Sequence, residues 1–521
     1  MLRIVAAVST AALLACSSGP SQTSQGLEEP HGGSGGNDTG NGEGGKQSTS
    51  AGASNTNAGS NSTAGSGSSS GGANNGGSTQ NGGSSNARGG STGSNGGSSN
   101  GNGGRSNGGG TSTGKGGNTG AGGSTTGSGG STTATPGGIP SWTDAPGACP
   151  SGATRKEISS VSQLEDATRG EGSYSSDSAS TCYVIKNGTY KQDGDTLLMY
   201  VNKSGTDATH RRIFVGESRT GVVIHGRADI AVSHIQISNV TFDLSGYSQS
   251  GSFNTVSLKE GGSDIVLDHI TFTGDCKTGA SGGHVEITGA NDVVLEASIV
   301  EKFGRCGTSD GHEDHGVYLA DGKNITIRNN DIRGNASRGI LLNTQGGEYG
   351  KLDQITIELN AVHDNGHADY EDGIMMNATD SGTIANVVIR RNVIFGNRYS
   401  GLRQLGDSFT NVTISQNTFF HNGAASSAAG RSEANLDDTG SGAATVYSKN
   451  ILVASGKVLN NCYDSAGRGF TFKDNWVQGT LPSGTAGNCI SNSTNGDPQF
   501  AAASDFHPQN DAAEGFGAFS P

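Results

Sequence analysis

Four segments between residues 324 and 422 share one pattern of apolar and polar positions. In each, two apolar residues stand at alternate positions, and an asparagine follows three places after the second, at Asn330, Asn360, Asn392 and Asn417. A further asparagine follows five residues later in every case. Alternation of β-branched residues is typical of strands, and asparagine at a fixed offset is typical of turns. The pattern therefore predicts short strands that end in regularly placed turns.

The spacing of these asparagines predicts how the strands are arranged. They recur after 30, 32 and 25 residues, and a period of this size is typical of stacked repeats. Each repeat holds three short strands, for example Ile325–Ile327, Asp331–Arg333 and Gly339–Leu342. Because no helical period separates them, βαβ units are excluded. Each repeat is predicted to form one coil of a single-stranded parallel β-helix, an all-β solenoid whose coils stack about 4.8 Å apart.

A short helix is predicted before the first coil. Ser160 and Gln163 form a capping-box pattern, and Val161, Leu164 and Ala167 follow at helical spacing. Repeat proteins need their open apolar ends covered, so this helix is expected to cap the N-terminal end of the stack.

The repeat pattern also extends weakly on both sides. At the position equivalent to the ladder asparagine, the upstream repeats have Val240, Ile270 and Ser298, and the downstream repeats have Asn450 and Asn475. Over roughly residues 181–480 the arrangement resembles the right-handed parallel β-helix of the pectin-lyase-like superfamily, which carries such an asparagine ladder. The segments Asp497–Phe500 and Asp505–Pro508 resemble the closing part of such domains and are expected to form a C-terminal cap. The resemblance is specific for fold rather than for activity, since one fold hosts many functions.

The first 137 residues differ in composition from the rest. Residues 1–16 begin with a positive charge, continue with a short apolar run and end in a Leu-Leu-Ala-Cys sequence that resembles a bacterial lipobox. The resemblance implies a signal peptide, lipidation of Cys16, and an exported protein held by this anchor at the outer membrane or cell surface. An ordinary signal peptide is the alternative.

Residues 17–137 consist of Gly, Ser, Asn and Thr with almost no apolar side chains. Such a segment cannot bury a core, and it is predicted to be a disordered tether, with an adhesive or glycosylated stalk as the alternative. Residues 138–521 form the predicted β-helix domain, which is expected to be a monomer. That part carries 28 Lys/Arg against 43 Asp/Glu, a formal charge of −15. This excess argues against nucleic acid as a partner, and an acidic polysaccharide would need a cation or a local basic patch.

Six cysteines remain after the one in the lipobox, an even number for an exported chain. Cys276 and Cys306 follow the ladder positions of consecutive coils at similar distances, and so do Cys462 and Cys489. Neighbouring coils place equivalent loops within disulfide reach, so these pairs are predicted, which leaves Cys149 to pair with Cys182. Metal ligation is the alternative, but no C-x-x-C spacing supports it.

In the resembled fold, substrates lie along the outer face of the strand that follows the long loops. That strand has a Gly-apolar-x-apolar pattern here, and its outward positions include Glu286, Tyr318 and Arg403, which are predicted to bind sugar. Two loops feeding this face are rich in His, Asp and Glu, at residues 310–315 and 367–372.

The candidate catalytic residues in and between these loops are His312, Asp314, His315 and Arg338. Asp314, Glu371 and Asp372 are candidate Ca²⁺ ligands. Arg338 or a histidine would take the proton next to a uronate carboxylate; alternatively, two carboxylates would act as general acid and base on a glycosidic bond. In a purely structural interpretation, His315 bonds to backbone in the turn and the loop acids are solvated.

No complete family active site is present. The Asp-Pro-His-Asp sequence of β-helix epimerases and the Gly-His-Gly of polygalacturonases are both missing. The leading hypothesis is a lipid-anchored surface protein whose β-helix cleaves an acidic polysaccharide by cation-assisted β-elimination. The alternatives are a non-catalytic glycan-binding or adhesion protein and a glycoside hydrolase on the same fold.

Overall fold

The computed structural model describes residues 149–520, apart from short gaps at 193–197, 248–253, 278–281, 347–349, 369–370, 407, 424–431, 438–444, 461–469, 484–488 and 503. Cys16 and the predicted tether at 17–137 lie outside the described residues. Among the helices that are described, none is long and apolar enough to cross a membrane.

The chain winds into coils, and each strand pairs in parallel with the equivalent strand of the next coil, so that three rows of strands run along the solenoid. The first row precedes the ladder asparagines. Its strands are Arg155–Ile158, Cys182–Ile185, Arg212–Gly216, Ile235–Ser238, Ser263–Asp268, Lys351–Glu358, Thr383–Arg390, Phe409–Ser415, Thr445–Ser448, Phe470–Lys473 and Ile490–Ser491.

The second row follows the ladder asparagines. Its strands are Gly188–Lys191, Val222–His225, Thr241–Asp243, Thr271–Thr273, Ile299–Glu301, Asp331–Arg333, Ala361–His363, Val393–Phe395, Thr418–Phe420, Ile451–Leu459, Trp476–Thr480 and Thr494–Asn495.

The third row closes each coil. Its separate strands are Met199–Val201, Ala228–Ile230, Val256–Lys259, Ile340–Thr344, Ile374–Ala378, Ser400–Gly406 and Ser432–Asp437. Gly282–Glu296 and Asp314–Arg328 run continuously from the third row into the first row of the next coil, and the end of Ile451–Leu459 also pairs with the third row. Alternate residues of all three rows point inward and form one apolar core. The predicted all-β parallel solenoid is confirmed.

The first asparagine ladder links the coils between the first and second rows. Nδ2 of Asn360 donates to Oδ1 of Asn392 at 2.9 Å, and Nδ2 of Asn392 donates to Oδ1 of Asn417 at the same distance. The contacts continue from Asn330 to Asn475. These side chains are buried, and each also binds backbone of the adjacent coil, for example Asn392 with the carbonyl of Ile357 at 2.9 Å. The ladder therefore satisfies turn backbone that would otherwise be orphaned.

A second ladder runs parallel to the first, between the second and third rows. It consists of Asn335, Asn365, Asn397 and Asn422, joined by amide-to-carbonyl contacts of 2.9 to 3.0 Å. The third-row strands begin against it with glycine. A Cβ on Gly339 would lie 2.7 Å from Nδ2 of Asn365, so only glycine leaves room for the ladder amide.

Larger residues replace that glycine where the second ladder ends. His284 occupies the position before the ladder starts, and its ring packs on Phe303 with centroids 4.4 Å apart. Glu433 occupies the position after Asn422, and its carboxyl accepts from Nδ2 of Asn422 at 2.6 Å. The Glu433 carboxyl thus takes the place of the next asparagine oxygen. Burial lowers the pKa of His284 to about 3 and raises the pKa of Glu433 to about 8.

The predicted N-terminal capping helix is confirmed as α1, Val161–Arg169. The Ser160 hydroxyl accepts from the backbone N–H of Gln163 at 3.3 Å, which is the predicted N-cap. Leu164 and Ala167 are fully buried in the solenoid core. Short 3₁₀ turns lie at Gly172–Tyr174, Ser309–Glu313 and Asp511–Ala513.

The closing segment does not continue the stack. It forms an antiparallel hairpin of Phe500–Ala502 and Asp505–Pro508. Phe506 packs on Phe395 of the second row with ring centroids 5.1 Å apart, because that row turns aromatic residues outward in consecutive coils. The predicted C-terminal cap is thus placed along the side of the coils.

Two of the predicted disulfides are confirmed. Cys149 bonds to Cys182 and Cys276 bonds to Cys306, with Cα atoms 5.8 and 5.0 Å apart. Cys489 is also disulfide-bonded. Its predicted partner, Cys462, lies outside the described residues.

Replacing Asn392 with Leu is expected to destabilise the protein by about 2–4 kcal/mol, because buried donors and acceptors of two neighbouring coils lose their partner. Denaturant unfolding followed by circular dichroism measures the change. Asn187 is an exposed asparagine that also contacts the next coil, where its Oδ1 accepts from the Ser218 hydroxyl at 2.8 Å. As the matched control, Asn187→Leu should change stability by less than about 0.5 kcal/mol. Equal losses in both variants would contradict the role of the buried ladder.

The Glu433 carboxyl makes the stability depend on pH. Its pKa is about 8 when folded and 4.5 ordinarily, so between those values the folded state holds a proton that the unfolded state has released. The free energy of unfolding should therefore fall by roughly a few kcal/mol as pH rises from about 4.5 to about 8. Glu433→Gln should flatten this dependence in unfolding curves recorded across that range. The same slope in both proteins would show that another group is responsible.

Candidate functional site

The third row places the predicted sugar-binding residues in one outward column. Glu286 pairs in register with Tyr318, Tyr318 with Leu341, and Met375 with Arg403. Leu341 and Met375 are nearly buried in the floor of this face, whereas Glu286, Tyr318 and Arg403 are partly exposed. The predicted column is therefore confirmed as a continuous line of side chains, one per coil.

A second column flanks the first on the side of the long loops. It contains Gly283, His315, Arg338, Asp372 and Ser400, each two residues before the first core residue of its third-row strand. The glycine that follows four of these residues packs on the second ladder. The loops therefore join the solenoid at fixed positions, and the flanking side chains stand at the edge of the outward column.

His315 is buried beside Tyr318. Their rings are stacked, with centroids 5.7 Å apart and an interplanar angle of 23°. The pKa of His315 lies well below its ordinary value because burial disfavours the charged form, and the charges of Arg338 and His312 add to this effect. Its Nδ1 is buried without a hydrogen-bond partner among the residues that the structure describes. His315 is therefore an uncharged imidazole at neutral pH.

Arg338 and Glu371 form an ion pair at the edge of the same face. Nη2 of Arg338 lies 2.7 Å from a carboxylate oxygen of Glu371, and both side chains are largely buried. Nη1 of Arg338 also donates to the backbone carbonyl of His312 at 3.3 Å. Arginine paired with a carboxylate keeps its proton, so Arg338 supplies a fixed positive charge rather than a base.

Asp314 is fully buried and accepts from Arg305. Nε and Nη2 of Arg305 donate to its two oxygens at 2.8 and 2.9 Å, and the backbone N–H of Arg305 donates at 2.9 Å. This contact and the Cys276–Cys306 disulfide hold both ends of the loop at 305–313. His312 stands on the loop with an exposed side chain, and its Nδ1 contacts the carbonyl of Ser309 at 2.6 Å. The structure thus brings His315, Arg338 and Glu371 together, whereas Asp314 is engaged in the loop and His312 points to solvent.

Tyr318 is oriented by two residues that sequence reasoning missed. Nδ2 of Asn343 donates to the Tyr318 hydroxyl at 3.1 Å, and Nδ2 of Asn377 donates to Oδ1 of Asn343 at 2.7 Å. Asn343 and Asn377 stand at the same outward position in consecutive third-row strands. The signal in the sequence is an asparagine two places after the outward leucine or methionine of each strand.

Glu286 lies on the N-terminal side of Tyr318. It accepts from Nδ2 of Asn254 at 2.5 Å and from the Ser257 hydroxyl at 3.1 Å. Burial raises the pKa of its carboxyl, against the lowering effect of these hydrogen bonds. Farther along, Nζ of Lys259 pairs with Asp229 at 2.7 Å.

Arg403 lies at the C-terminal side of the outward column. Its guanidinium carbon lies 5.6 Å from the centre of the Tyr399 ring, a cation–π arrangement. The hydroxyl of Ser400, which is in the flanking column, is buried and has no hydrogen-bond partner within the described part of the chain. Tyr399 and Ser400 were not predicted as site residues, since neither belongs to a loop rich in acids.

The predicted calcium ligands do not converge as a donor set. Asp314 is held by Arg305 and Glu371 by Arg338, while Asp372 is buried in the flanking column. Within the described ranges, no group of three or more His, Cys, Asp or Glu side chains has the arrangement of a metal site. Oxygen-rich sites for Ca²⁺ need six to eight ligands. Asp314 and Glu371 are thus engaged by arginines, and calcium binding in this region stays a prediction.

The electrostatic account of His315 is testable by NMR. Replacing Arg338 with Gln removes a positive charge that lowers the His315 pKa, so this pKa should rise, although burial keeps it below its ordinary value. A pH titration of the His315 ring resonances measures the change. Arg390, which pairs with Glu358 on the first row, provides the control, and Arg390→Gln should leave the His315 titration unchanged. An unchanged His315 titration in the Arg338 variant would contradict the electrostatic account.

Residues 173–419 match the family model described as right handed beta helix region. No curated protein sequence matches the chain. Among solved structures, the A-module of the Azotobacter vinelandii mannuronan C-5 epimerase AlgE4 is similar at 14% identity, with 66% of this chain and 98% of that chain covered and a TM-score of 0.41.

Two polysaccharide lyases show comparable similarity. The alginate lyase from Paenibacillus sp. str. FPU-7 is 13% identical, with 66% of this chain and 98% of that chain covered and a TM-score of 0.31. The PL6 family polysaccharide lyase Pedsa3628 from Pseudopedobacter saltans is 12% identical, with 66% and 92% covered and a TM-score of 0.42. At such identities the likeness concerns the fold alone. Together with the strand rows and the two ladders, the family match shows that the chain contains a right-handed parallel β-helix.

Proposed function

We propose that the β-helix binds an acidic polysaccharide along the outward face of the third row and cleaves it by β-elimination. The observation that carries the proposal is the stacked pair of His315 and Tyr318, with Arg338 beside His315 and Arg403 three coil steps farther along the same face. An uncharged imidazole, a phenol and fixed positive charges are the groups that this reaction needs.

The two arginines favour an acidic substrate. A guanidinium presents two parallel N–H donors that match a carboxylate, and stacking on an aromatic ring holds its plane. Arg403 is placed in this way over Tyr399. Because the chain as a whole carries a formal charge of −14, a local positive site is needed to hold a polyanion.

β-Elimination of a uronate chain moves two protons and breaks one carbon–oxygen bond of the chain. A base removes the hydrogen on the carbon next to the carboxylate, and the electron pair forms a carbon–carbon double bond. The bond from the adjacent carbon to the bridging oxygen breaks, and that oxygen takes a proton from an acid. Neutralising the carboxylate lowers the barrier because negative charge develops on it in the transition state.

The residues are assigned to these steps by their environment. Arg338, the cation next to His315, neutralises the carboxylate of the reacting sugar. Arg403 lies three coil steps, or about 14 Å, from Tyr318 and binds the carboxylate of a sugar residue farther along the polymer. His315 accepts the proton, since its imidazole is uncharged at neutral pH. Tyr318 gives a proton to the bridging oxygen while its own oxygen accepts from Asn343. Burial keeps His315 unprotonated and the charge of Arg338 adds to this effect, while Arg338, paired with Glu371, forms the wall beside it.

Calcium assistance is not part of the proposed mechanism. Two of the three predicted ligands, Asp314 and Glu371, are held by arginines, and Arg338 takes the neutralising role beside His315 instead. We also propose that lipidation at Cys16 displays the domain at the outer membrane or cell surface. This part of the proposal rests on the lipobox resemblance alone.

Glycoside hydrolysis is the second candidate, and Glu286 favours it. The raised pKa of this carboxyl suits a general acid. Asp229 lies two coils away on the same column, a separation of about 10 Å at the coil spacing, close to that of the two carboxyls in inverting hydrolases. Asp229 is already paired with Lys259, which makes hydrolysis the weaker candidate.

Tyr318→Phe tests the proposal because it removes the phenolic proton and keeps the ring. On a panel of alginate, pectate, chondroitin and neutral glycans, kcat should fall by about 10²- to 10⁴-fold on the substrate that is cleaved, with KM little changed. Ultraviolet absorbance of the unsaturated product measures the reaction. Tyr247, whose hydroxyl donates to the His225 carbonyl at 2.8 Å, provides the matched control, and Tyr247→Phe should keep full activity.

The same panel separates the alternatives. Reducing ends without ultraviolet absorbance, lost in Glu286→Gln, would establish hydrolysis and contradict β-elimination. Absence of both signals, with retained glycan binding, would establish a non-catalytic binding protein. Insensitivity to a calcium chelator is expected under the proposed mechanism.

A further inference from the structure

We infer that Tyr200 forms a distal sugar-binding subsite at the N-terminal end of the third row, occupied by an acidic oligosaccharide that extends from the reacting centre. The inference rests on the proposed function for the direction and charge of the ligand. It adds a residue that neither the sequence pattern nor the His315–Tyr318 site identifies.

Strand register places Tyr200 on the same outward column as Tyr318. Tyr200 pairs with Asp229, Asp229 with Ser257, Ser257 with Glu286, and Glu286 with Tyr318. Four coil steps therefore separate the two tyrosines, a distance of about 19 Å along the solenoid axis. A straight row of parallel strands makes this column linear, so one extended polymer can lie over both rings.

The side chain of Tyr200 is unusually exposed for a large apolar residue of this protein. It is 43% exposed, and Leu359 at 45% is the one other large hydrophobic residue that is exposed in the described part of the chain. Leu359 lies in the turn beside the first ladder, on a different face. An exposed aromatic side chain on a cleft column has the apolar face on which the C–H side of a sugar ring packs, and its hydroxyl reaches sugar hydroxyls.

The backbone beneath Tyr200 is firmly held. Met199 and Val201 on either side are buried in the core, and α1 packs against this strand. The N–H of Met199 donates to the carbonyl of Arg227 in the next coil at 3.0 Å. The ring is therefore presented by a rigid strand rather than by a loop, as a binding subsite requires.

The floor between the two tyrosines suits a polyanion. The charge of Asp229 is balanced by Lys259, whose side chain is 47% exposed. Burial raises the pKa of Glu286, which favours its neutral form. The ion pair of Asp229 and Lys259 therefore adds no net charge to the column between Tyr200 and Tyr318.

The spacing of the rings defines the ligand length. An extended pyranose residue is about as long as one coil step, so the two rings lie roughly four sugar residues apart. Oligouronates shorter than this contact only one ring, whereas longer ones contact both. The subsite thus predicts that affinity depends on chain length in a stepwise manner.

The experiment measures binding of oligogalacturonates and oligomannuronates to the full protein by calorimetry, over lengths from about two to about eight residues, which bracket the four-step separation. The unaltered protein should bind the preferred series more tightly once both rings are spanned. Tyr200→Ala should weaken binding of the long members about fivefold to tenfold, as expected for loss of one aromatic contact, and leave the short members unchanged. Tyr200→Phe should bind nearly as well as the unaltered protein.

The controls separate this subsite from the proposed reaction. Leu359→Ala removes the other exposed apolar side chain and should change neither affinity nor turnover, and circular dichroism verifies that each variant is folded. Long oligouronates that bind Tyr200→Ala as tightly as the unaltered protein would overturn the subsite even if cleavage persists. Length-dependent binding that requires Tyr200, without turnover, would support the subsite and contradict the cleavage proposal. Absence of oligouronate binding at every length would overturn both.

Discussion

The two asparagine ladders are the constraint on which the rest of the molecule depends. Each buried amide accepts from the coil before it and donates to the coil after it, so the turns of neighbouring coils keep a fixed offset. Leaving these buried amides unpaired would cost more free energy than the hydrogen bonds contribute. This difference fixes the register of neighbouring coils. Where the second ladder ends, the Glu433 carboxyl takes the position of the next amide oxygen.

The fixed register at the turns determines which side chains the third row presents on its outward face. Glycines allow its strands to start against the second ladder, and the residue before each glycine then stands at the edge of the outward face. This geometry brings His315 of one coil beside Arg338 of the next and stacks His315 on Tyr318. A loop-based site would need its own rigid support, whereas here the solenoid supplies it one coil at a time.

The sequence predicts the elements that repeat and misses the contacts that do not. The ladder at Asn330 to Asn475, α1 and the Cys276–Cys306 bond follow from spacing, because period and register are carried by the chain itself. The pairing of Asp314 with Arg305 and of Glu371 with Arg338 does not follow, since it depends on side-chain directions in irregular loops. Those ion pairs give Asp314 and Glu371 a structural role as loop anchors.

The most direct measurement for the central claim is a crystal structure of the protein with an oligouronate long enough to span from Tyr200 to Tyr318. The account predicts that the sugar chain lies along the outward column of the third row, with a carboxylate on the Arg403 guanidinium and a sugar ring beside Tyr318. A sugar chain bound on the first or second row, with the third row uncovered, would contradict it.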